Sequence, residues 1–152
     1  MDTECTIWYS RDMKLENVQK IEAPVDTVWA LTEDVERWPA ITPTMTTVER
    51  LDDGPLAVGS RARIKQPGQG TRVWTVTRLE PGRVFAWSTT ALGAQMEGSH
   101  HLEADGGGCL NRLELEMTGA TAGVVGRLLG RTLLKAITTE NEGFKRVAEA
   151  AA

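Results

Sequence analysis

The sequence has no long apolar run and no cluster of basic residues. None of its 152 residues belongs to an apolar stretch of about 18 residues, so no transmembrane helix is expected. The formal charge is -4 and the Lys and Arg residues are scattered, which argues against nucleic acid as a partner. The first residues also lack a basic segment followed by an apolar one. We therefore expect neither a secretory signal nor stable membrane insertion.

Cysteine and histidine are scarce, with two of each. Cys5 and Cys109 lie too far apart for a metal or redox motif, and inert thiols suit a reducing compartment, so a cytoplasmic location is expected. His100 and His101 are adjacent in a strand-like segment and would point to opposite faces, which prevents joint binding of one metal ion. No phosphate loop or nucleophile elbow is present. The sequence therefore predicts neither a metal nor a cofactor.

Turns rich in Gly and Pro divide most of the chain into strand-like segments. A first strand is predicted at residues 15–22, and six more follow within residues 44–118. Alternation is clear in the last of them, where Leu113, Leu115 and Met117 oppose charged neighbours. One dry and one wet face predict an antiparallel sheet, and the consecutive hairpins predict a meander.

Helical patterns follow the first strand and end the chain. Pro24 suits the first turn of a helix over residues 25–34, and a second short helix is expected to stop before Pro39. Residues 121–148 predict an amphipathic helix about 40 Å long. The predicted fold is therefore α+β, with a seven-stranded antiparallel sheet wrapped around a long C-terminal helix and two short helices after the first strand.

The N-terminal residues show no clear period. Residues 1–12 contain Trp8 and Tyr9 but neither strand-like nor helical spacing. They are predicted to form an N-terminal tail, which is where disorder concentrates in most domains. Residues 13–152 are predicted to form a single domain, since that length suits one hydrophobic core.

Several short motifs occur in a recognisable order. Residues 21–29 read Ile-Glu-Ala-Pro-Val-Asp-Thr-Val-Trp and residues 34–39 read Asp-Val-Glu-Arg-Trp-Pro. Val-Trp-Thr-Val at 73–76 and Leu-Glu-Pro-Gly-Arg at 79–83 follow. Together these motifs resemble the START/polyketide cyclase-dehydrase superfamily, also called SRPBCC, and the likeness extends from residue 15 to the C-terminus. The resemblance implies a helix-grip fold whose cavity binds lipids, sterols or polyketides, and in some members aromatase/cyclase activity.

Two polar residues are predicted to face this cavity and are the catalytic candidates. His100 shares a strand face with Met96, Gly98 and Leu102, so it is expected to point inward as an imidazole that orients or protonates a ligand. The alternative is a core histidine satisfied by a neighbour. Glu140 falls within the apolar stripe of the last helix at 100° steps. It is expected to anchor a ligand or accept a proton; the alternatives are a pair with a sheet arginine or exposure at the cavity mouth.

Large apolar side chains are candidates for the ligand-binding lining, because Trp and Met often line small-molecule pockets. A filled core is the alternative. The strand at residues 71–79 is ambiguous, since either Trp74 and Val76 or Val73 and Leu79 face inward. Gly143 is expected to leave room for a ligand or to allow close helix–sheet approach, with a helix kink as the alternative. The predicted ligand-binding residues are Met45, Ile64, Trp74, Phe85, Trp87, Met96, Leu115, Leu133, Ile137 and Gly143.

The leading functional hypothesis is binding of a hydrophobic small molecule, lipid-like or polyketide-like, in this cavity. A second hypothesis is a polyketide cyclase/dehydrase-type enzyme in which His100 and Glu140 act as acid and base. A third is a non-catalytic partner of a larger complex. The chain is expected to be a monomer or a homodimer.

Overall fold

A single antiparallel sheet dominates the computed structural model, which describes residues 3–9 and 12–152. Successive strands are joined by tight turns from the fourth strand to the last. Within the described residues the sheet has eight strands. Their bounds are β1 Thr3–Tyr9, β2 Met13–Ile21, β3 Thr47–Arg50, β4 Arg61–Gln66, β5 Gly70–Glu80, β6 Val84–Ala91, β7 Ala94–Asp105 and β8 Gly108–Thr118.

The strand order is β1-β2-β8-β7-β6-β5-β4-β3. The strands from β3 to β8 therefore form a continuous meander, and β2 completes the sheet by pairing with β8. Every pairing is antiparallel. The predicted architecture, a curved antiparallel sheet holding a long C-terminal helix, is confirmed.

The strand count differs from the prediction of seven. Residues Thr3–Tyr9, expected to belong to a tail, form the edge strand β1 and pair with β2 from Thr3↔Gln19 to Tyr9↔Met13. An edge strand has one neighbour, and Thr3, Glu4 and Cys5 are exposed, so the segment needs little apolar alternation. Residues 1, 2, 10 and 11 of the predicted tail lie outside the described residues. The assignment of residues 13–152 to a single domain stays a prediction.

Two short helices follow β2, as predicted. The helix α1, Val25–Glu33, begins directly after Pro24, whose carbonyl accepts from the backbone N–H groups of Thr27 and Val28. A 3₁₀ turn, Val35–Arg37, leads into α2, Trp38–Ile41. Pro39 was expected to end this region but lies inside the first turn of α2. Proline is tolerated there because its missing N–H has no intrahelical partner.

The C-terminal helix α3, Ala122–Ala151, has 30 residues and is therefore about 45 Å long. Its apolar stripe, which includes Val125, Leu133, Phe144 and Ala148, is buried. The stripe packs mainly on β2 and β8. Burial of this face and of the concave sheet face removes two large apolar surfaces from water, which is the main driving force for this arrangement.

A buried amide fixes the position of α3 on the sheet. Asn141 is fully buried, and its Nδ2 donates to the carbonyl oxygens of Asn17 on β2 and Asn111 on β8, at 3.1 and 2.8 Å. It also donates to Asn17 Oδ1 at 2.9 Å, while Asn111 Nδ2 donates to Asn141 Oδ1 at 2.9 Å. Burial of an amide is costly unless it is hydrogen-bonded, so this network favours one register of the helix.

A β-bulge in β5 resolves the ambiguity in that strand. Trp74 and Val76 are buried and face the helix, whereas Val73 is 42% exposed. The register with β6 shifts between Val76 and Arg78, so one extra residue changes the alternation. After the shift, Leu79 pairs with Phe85 and packs against the core. Before the bulge, Trp74 and Val76 face inward, as the first alternative predicts. After the bulge, Leu79 faces inward, as the second predicts.

The outer face of the sheet carries a charged cluster around Glu114. Its carboxylate lies 3.3 Å from His101 Nε2, 3.2 Å from Lys14 Nζ and 2.6 Å from Arg112 Nη1. These groups, His101 first, lower the pKa of Glu114 from 4.5 to about 2. A carboxyl group whose pKa is lower in the folded state stabilises the fold at pH values above its unfolded pKa.

The free energy of unfolding should therefore depend on Glu114 in acid. The contribution is fully present above pH 4.5 and is lost as the pH falls towards 2. Its size is of the order of 3 kcal/mol or less, from the free-energy equivalent of a pKa change. Chemical unfolding at neutral and acid pH should show that acid lowers the free energy of unfolding less in Glu114→Gln than in the wild type. Glu116→Gln, an exposed neighbour on β8, is the control. Equal acid losses in wild type and Glu114→Gln would contradict this account.

Candidate functional site

A mostly apolar cavity of about 70 Å³ lies between the sheet and α3. The sheet contributes residues of β5 to β8, and α3 contributes one wall. The loop before β3 and the turn after β4 close one side. The lining residues are Thr44, Met45, Gln66, Gln69, Trp74, Trp87, Met96, Gly98, Ser99, His100, Leu113, Glu114, Leu115, Leu133, Ala136, Ile137 and Glu140.

The two catalytic candidates meet in the wall of this cavity. His100 comes from β7 and Glu140 from α3, and Nε2 of the histidine lies 3.2 Å from Oε1 of the glutamate. Their side chains are only 4% and 11% exposed. An ionised carboxylate can only accept a hydrogen bond, so this contact is a hydrogen bond when the imidazole carries a proton on Nε2. Glu140 is buried and contacts His100. The two alternatives, a pair with a sheet arginine and exposure at the cavity mouth, are therefore wrong.

Aromatic rings surround His100. Its ring centroid lies 4.9 Å from that of Trp38, 5.3 Å from Phe144 and 5.8 Å from Phe85. Its Nδ1 is buried and has no hydrogen-bond partner among the described residues. A buried histidine with one free nitrogen and one bound carboxylate is held in a single orientation. The free Nδ1 is the nitrogen that can take up a proton from a ligand, while the Glu140 carboxylate beside Nε2 would stabilise the imidazolium so formed.

The structure brings most of the predicted lining together. Trp74 and Trp87 lie with ring centroids 5.9 Å apart, and Gly98 opposes Trp87 in the β6–β7 register. Ile64 and Phe85 are buried in the core but do not line the cavity. The predicted residues that do line it are Met45, Trp74, Trp87, Met96, Leu115, Leu133 and Ile137, beside His100 and Glu140.

Gly143 does not line the cavity and serves close packing instead. A Cβ atom at this position would lie 2.3 Å from the carbonyl oxygen of Ile41 in α2. The prediction that Gly143 leaves room for a ligand is therefore wrong in its placement. Gly143 does face inward, as predicted, but at this position α3 packs against α2 and does not face the cavity.

Polar residues at the cavity wall were not predicted. Thr44, Gln66 and Gln69 lie near the β3 and β4 ends, and Gln66 Nε2 donates to Thr44 O at 3.5 Å. The available signal was their position beside turns, where functional residues often occur. Ala136 also lines the cavity; its spacing with Leu133 and Ile137 predicts the inward face of α3, but it was not among the predicted ligand-binding residues.

A second, larger cleft adjoins the cavity. Its volume is about 310 Å³, and it lies between α3 and the turns that follow β4 and β6. The cavity and the cleft share Gln69, Met96 and Leu133 in their linings. These residues border both spaces, and Met96 is the most adaptable apolar side chain among them.

A family model for polyketide cyclase/dehydrase and lipid transport proteins matches residues 12–149. The match covers most of the chain, and the chain belongs to this family. No curated protein matched the sequence. The described residues contain no helix long and apolar enough to cross a membrane.

Solved structures share the fold at low sequence identity. TTHA0849 from Thermus thermophilus has a TM-score of 0.73 at 16% identity, with 91% of this chain and 99% of that chain covered. Major latex-like protein 151 from Panax ginseng has a TM-score of 0.75 at 13% identity, with coverages of 90% and 97%. The di-domain ARO/CYC StfQ of the steffimycin biosynthetic pathway has a TM-score of 0.75 at 13% identity. There, 92% of this chain matches 51% of that chain. These similarities establish the fold.

The close approach at Gly143 predicts an unusual response to alanine. Gly→Ala in a helix interior normally stabilises by about 1 kcal/mol through propensity. Gly143→Ala should instead destabilise the protein, by about 1–3 kcal/mol, because the added methyl group clashes with the Ile41 carbonyl. Urea unfolding with linear extrapolation measures the difference. A variant as stable as wild type, or more stable, would show that α3 and α2 are not in contact here.

Proposed function

We propose that the chain binds a hydrophobic small molecule, lipid-like or polyketide-like, in the cavity between the sheet and α3. The observation that carries the proposal is a mostly apolar cavity in whose wall two buried polar side chains, His100 and Glu140, contact each other. Ligand sites combine apolar lining with few convergent polar groups. Membership of a family described by polyketide cyclases, dehydrases and lipid transport supports the same class of ligand.

The cavity must enlarge to accept such a ligand. A volume of about 70 Å³ holds roughly two water molecules, whereas ligand pockets typically measure roughly 300–1,000 Å³. The adjoining cleft of about 310 Å³ supplies the missing space once Met96 and Leu133 move aside. We therefore propose that the ligand enters through the cleft and places its inner end near His100 and Glu140.

Ligand binding is testable by thermal shift with apolar aromatics and fatty acids. A ligand present at a hundred times its Kd should stabilise the native state by about 2.7 kcal/mol. Ala136→Leu places extra methyl groups in the cavity and should weaken binding at least about tenfold, while leaving the fold intact. Ala150→Leu, on the exposed end of the same helix, is the matched control. Unchanged ligand shifts in Ala136→Leu would place the binding site elsewhere.

Cyclase/dehydrase-type catalysis is the second candidate function, and the 3.2 Å contact between His100 and Glu140 favours it. General acid–base chemistry needs two positioned groups, and this pair is shielded from solvent. In both reactions the pair removes a proton from the carbon beside a ligand carbonyl. In cyclisation that carbon bonds to a second carbonyl carbon, whose oxygen takes the returned proton and becomes a hydroxyl group. In dehydration the C–O bond of a β-hydroxyl group breaks, and the returned proton lets its oxygen leave as water. The cleft would deliver a chain bearing alternating carbonyl groups to it.

Turnover separates this enzyme from a carrier. Poly-β-ketone and hydroxy-carbonyl substrates should be cyclised or dehydrated over several turnovers by the wild type if the pair is catalytic. His100→Ala should then cost roughly 100-fold or more in rate, and Glu140→Gln should also lose activity. Binding without turnover by the wild type would favour the carrier, and equal turnover in all three proteins would exclude the pair from catalysis.

The third candidate is a non-catalytic partner of a larger complex, in which the cavity is incidental. The small cavity volume is compatible with this third candidate. A melting temperature that none of the tested ligands raises would favour it. We also propose a cytoplasmic location and a monomeric or homodimeric state without nucleic acid. Free Cys5 and Cys109 suit a reducing compartment.

A further inference from the structure

Four apolar side chains are exposed at the end of the molecule where the cleft opens. Val124, Leu128 and Leu129 lie near the start of α3 and are 62%, 77% and 38% exposed, and Leu92 is 60% exposed in the turn between β6 and β7. Thr121 Oγ1 donates to the Leu92 carbonyl at 2.8 Å, which ties the turn to the helix. We call these four apolar residues the mouth patch, because Leu92 and Leu129 also line the cleft.

The backbone at Leu92 is conformationally costly. Its φ is 55°, and among residues 3–9 and 12–152 no other non-glycine residue has a positive φ. Two-residue hairpin turns with positive φ favour Asn-Gly or Asp-Gly, whereas this turn reads Leu-Gly. Strained backbone persists where the surroundings enforce it, and it clusters at functional positions. An exposed leucine thus occupies a backbone conformation that Asn or Asp would adopt at lower cost.

Positive charge accompanies the mouth patch. Residues 122–139 include Arg127, Arg131 and Lys135 but no Asp or Glu, although the whole chain has a net charge of -4. All three basic residues are exposed. Spacings of three and four residues place them on the same side of α3 as Val124 and Leu128. This part of α3 therefore combines exposed apolar side chains with a basic row that has no acidic residue among residues 122–139.

We infer that the mouth patch docks reversibly on an anionic lipid bilayer. Apolar side chains can enter the headgroup region while the flanking basic residues bind anionic lipids, as in interfacial amphipathic helices. Val124 and Leu128 protrude beyond the cleft, which suits a soft lipid surface better than a preformed protein groove. Docking at this end would face the cleft towards the bilayer, so an apolar ligand could pass between lipid and protein without crossing water.

Co-sedimentation of the full chain with vesicles tests this inference. The wild type should bind vesicles of phosphatidylcholine mixed with phosphatidylglycerol and should not bind vesicles of phosphatidylcholine alone. Added salt should release it, because the attraction is screened. Arg127→Gln combined with Arg131→Gln should weaken partitioning at least about tenfold. Leu128→Ser should weaken it as well, since burial of the leucine is lost.

Val58→Ser is the matched control for the apolar substitution. Val58 is 64% exposed and lies before β4, at the opposite end of that strand from the turn that borders the cleft. The control should bind vesicles like the wild type. Equal losses in Val58→Ser and Leu128→Ser would overturn the inference. Failure of the wild type to bind either kind of vesicle would also overturn it, and would leave an acidic protein as the partner of this surface. Neither outcome affects ligand binding in solution, so this test is independent of the proposed function.

Discussion

The register of α3 against the sheet decides where the candidate site residues of this helix lie. Asn141 sets that register, because its buried side chain bonds β2 and β8 at the same time. Successive helix residues are about 100° apart, so the preceding residue, Glu140, is directed towards β7 and reaches His100. A rotation of α3 by one residue would break the amide network and separate the carboxylate from the imidazole. The contact between His100 and Glu140 therefore depends on the hydrogen bonds that the next residue, Asn141, makes to β2 and β8.

The same packing explains the shape of the interior. Towards its C-terminus α3 lies tight against α2, with Gly143 against the Ile41 carbonyl. In its first half it faces the cleft of about 310 Å³ beside the turns after β4 and β6. The molecule is thus closed at one end and open at the other, with His100 and Glu140 between them. A buried polar pair of this kind adds little stability beyond that of an apolar pair, which is why we propose a role for it in ligand recognition or catalysis.

Local patterns in the sequence predicted which side chains point into the interior, but they did not predict which residues contact each other. Alternation in β7 placed His100 on the inner face, and the 100° steps of α3 placed Glu140 inward, both as the structure has them. Their contact depends on the register between two elements about 40 residues apart, which no local period contains. Gly143 shows the same limit, since its inward direction was predicted but its neighbour in α2 was not.

Irregular elements account for the other differences. In the edge strand β1, Thr3, Glu4 and Cys5 are exposed, so the start of this strand shows no apolar alternation, and its pairing with β2 was not predicted. In β5, one added residue between Val76 and Arg78 changes the alternation within the strand. No single period describes it, and the sequence therefore supported two orientations. The family resemblance, in contrast, rested on several motifs in order along the chain, and the family model confirms it over residues 12–149.

The central claim is that the interior of this fold opens to hold a hydrophobic molecule. Native mass spectrometry of the protein purified from its own host tests it most directly, because a ligand retained in the interior is weighed with the chain. The account predicts a species heavier than the polypeptide, whose extra mass is lost on denaturation and extracts into organic solvent. The bare chain as the sole species, under conditions that keep it folded, would contradict the account.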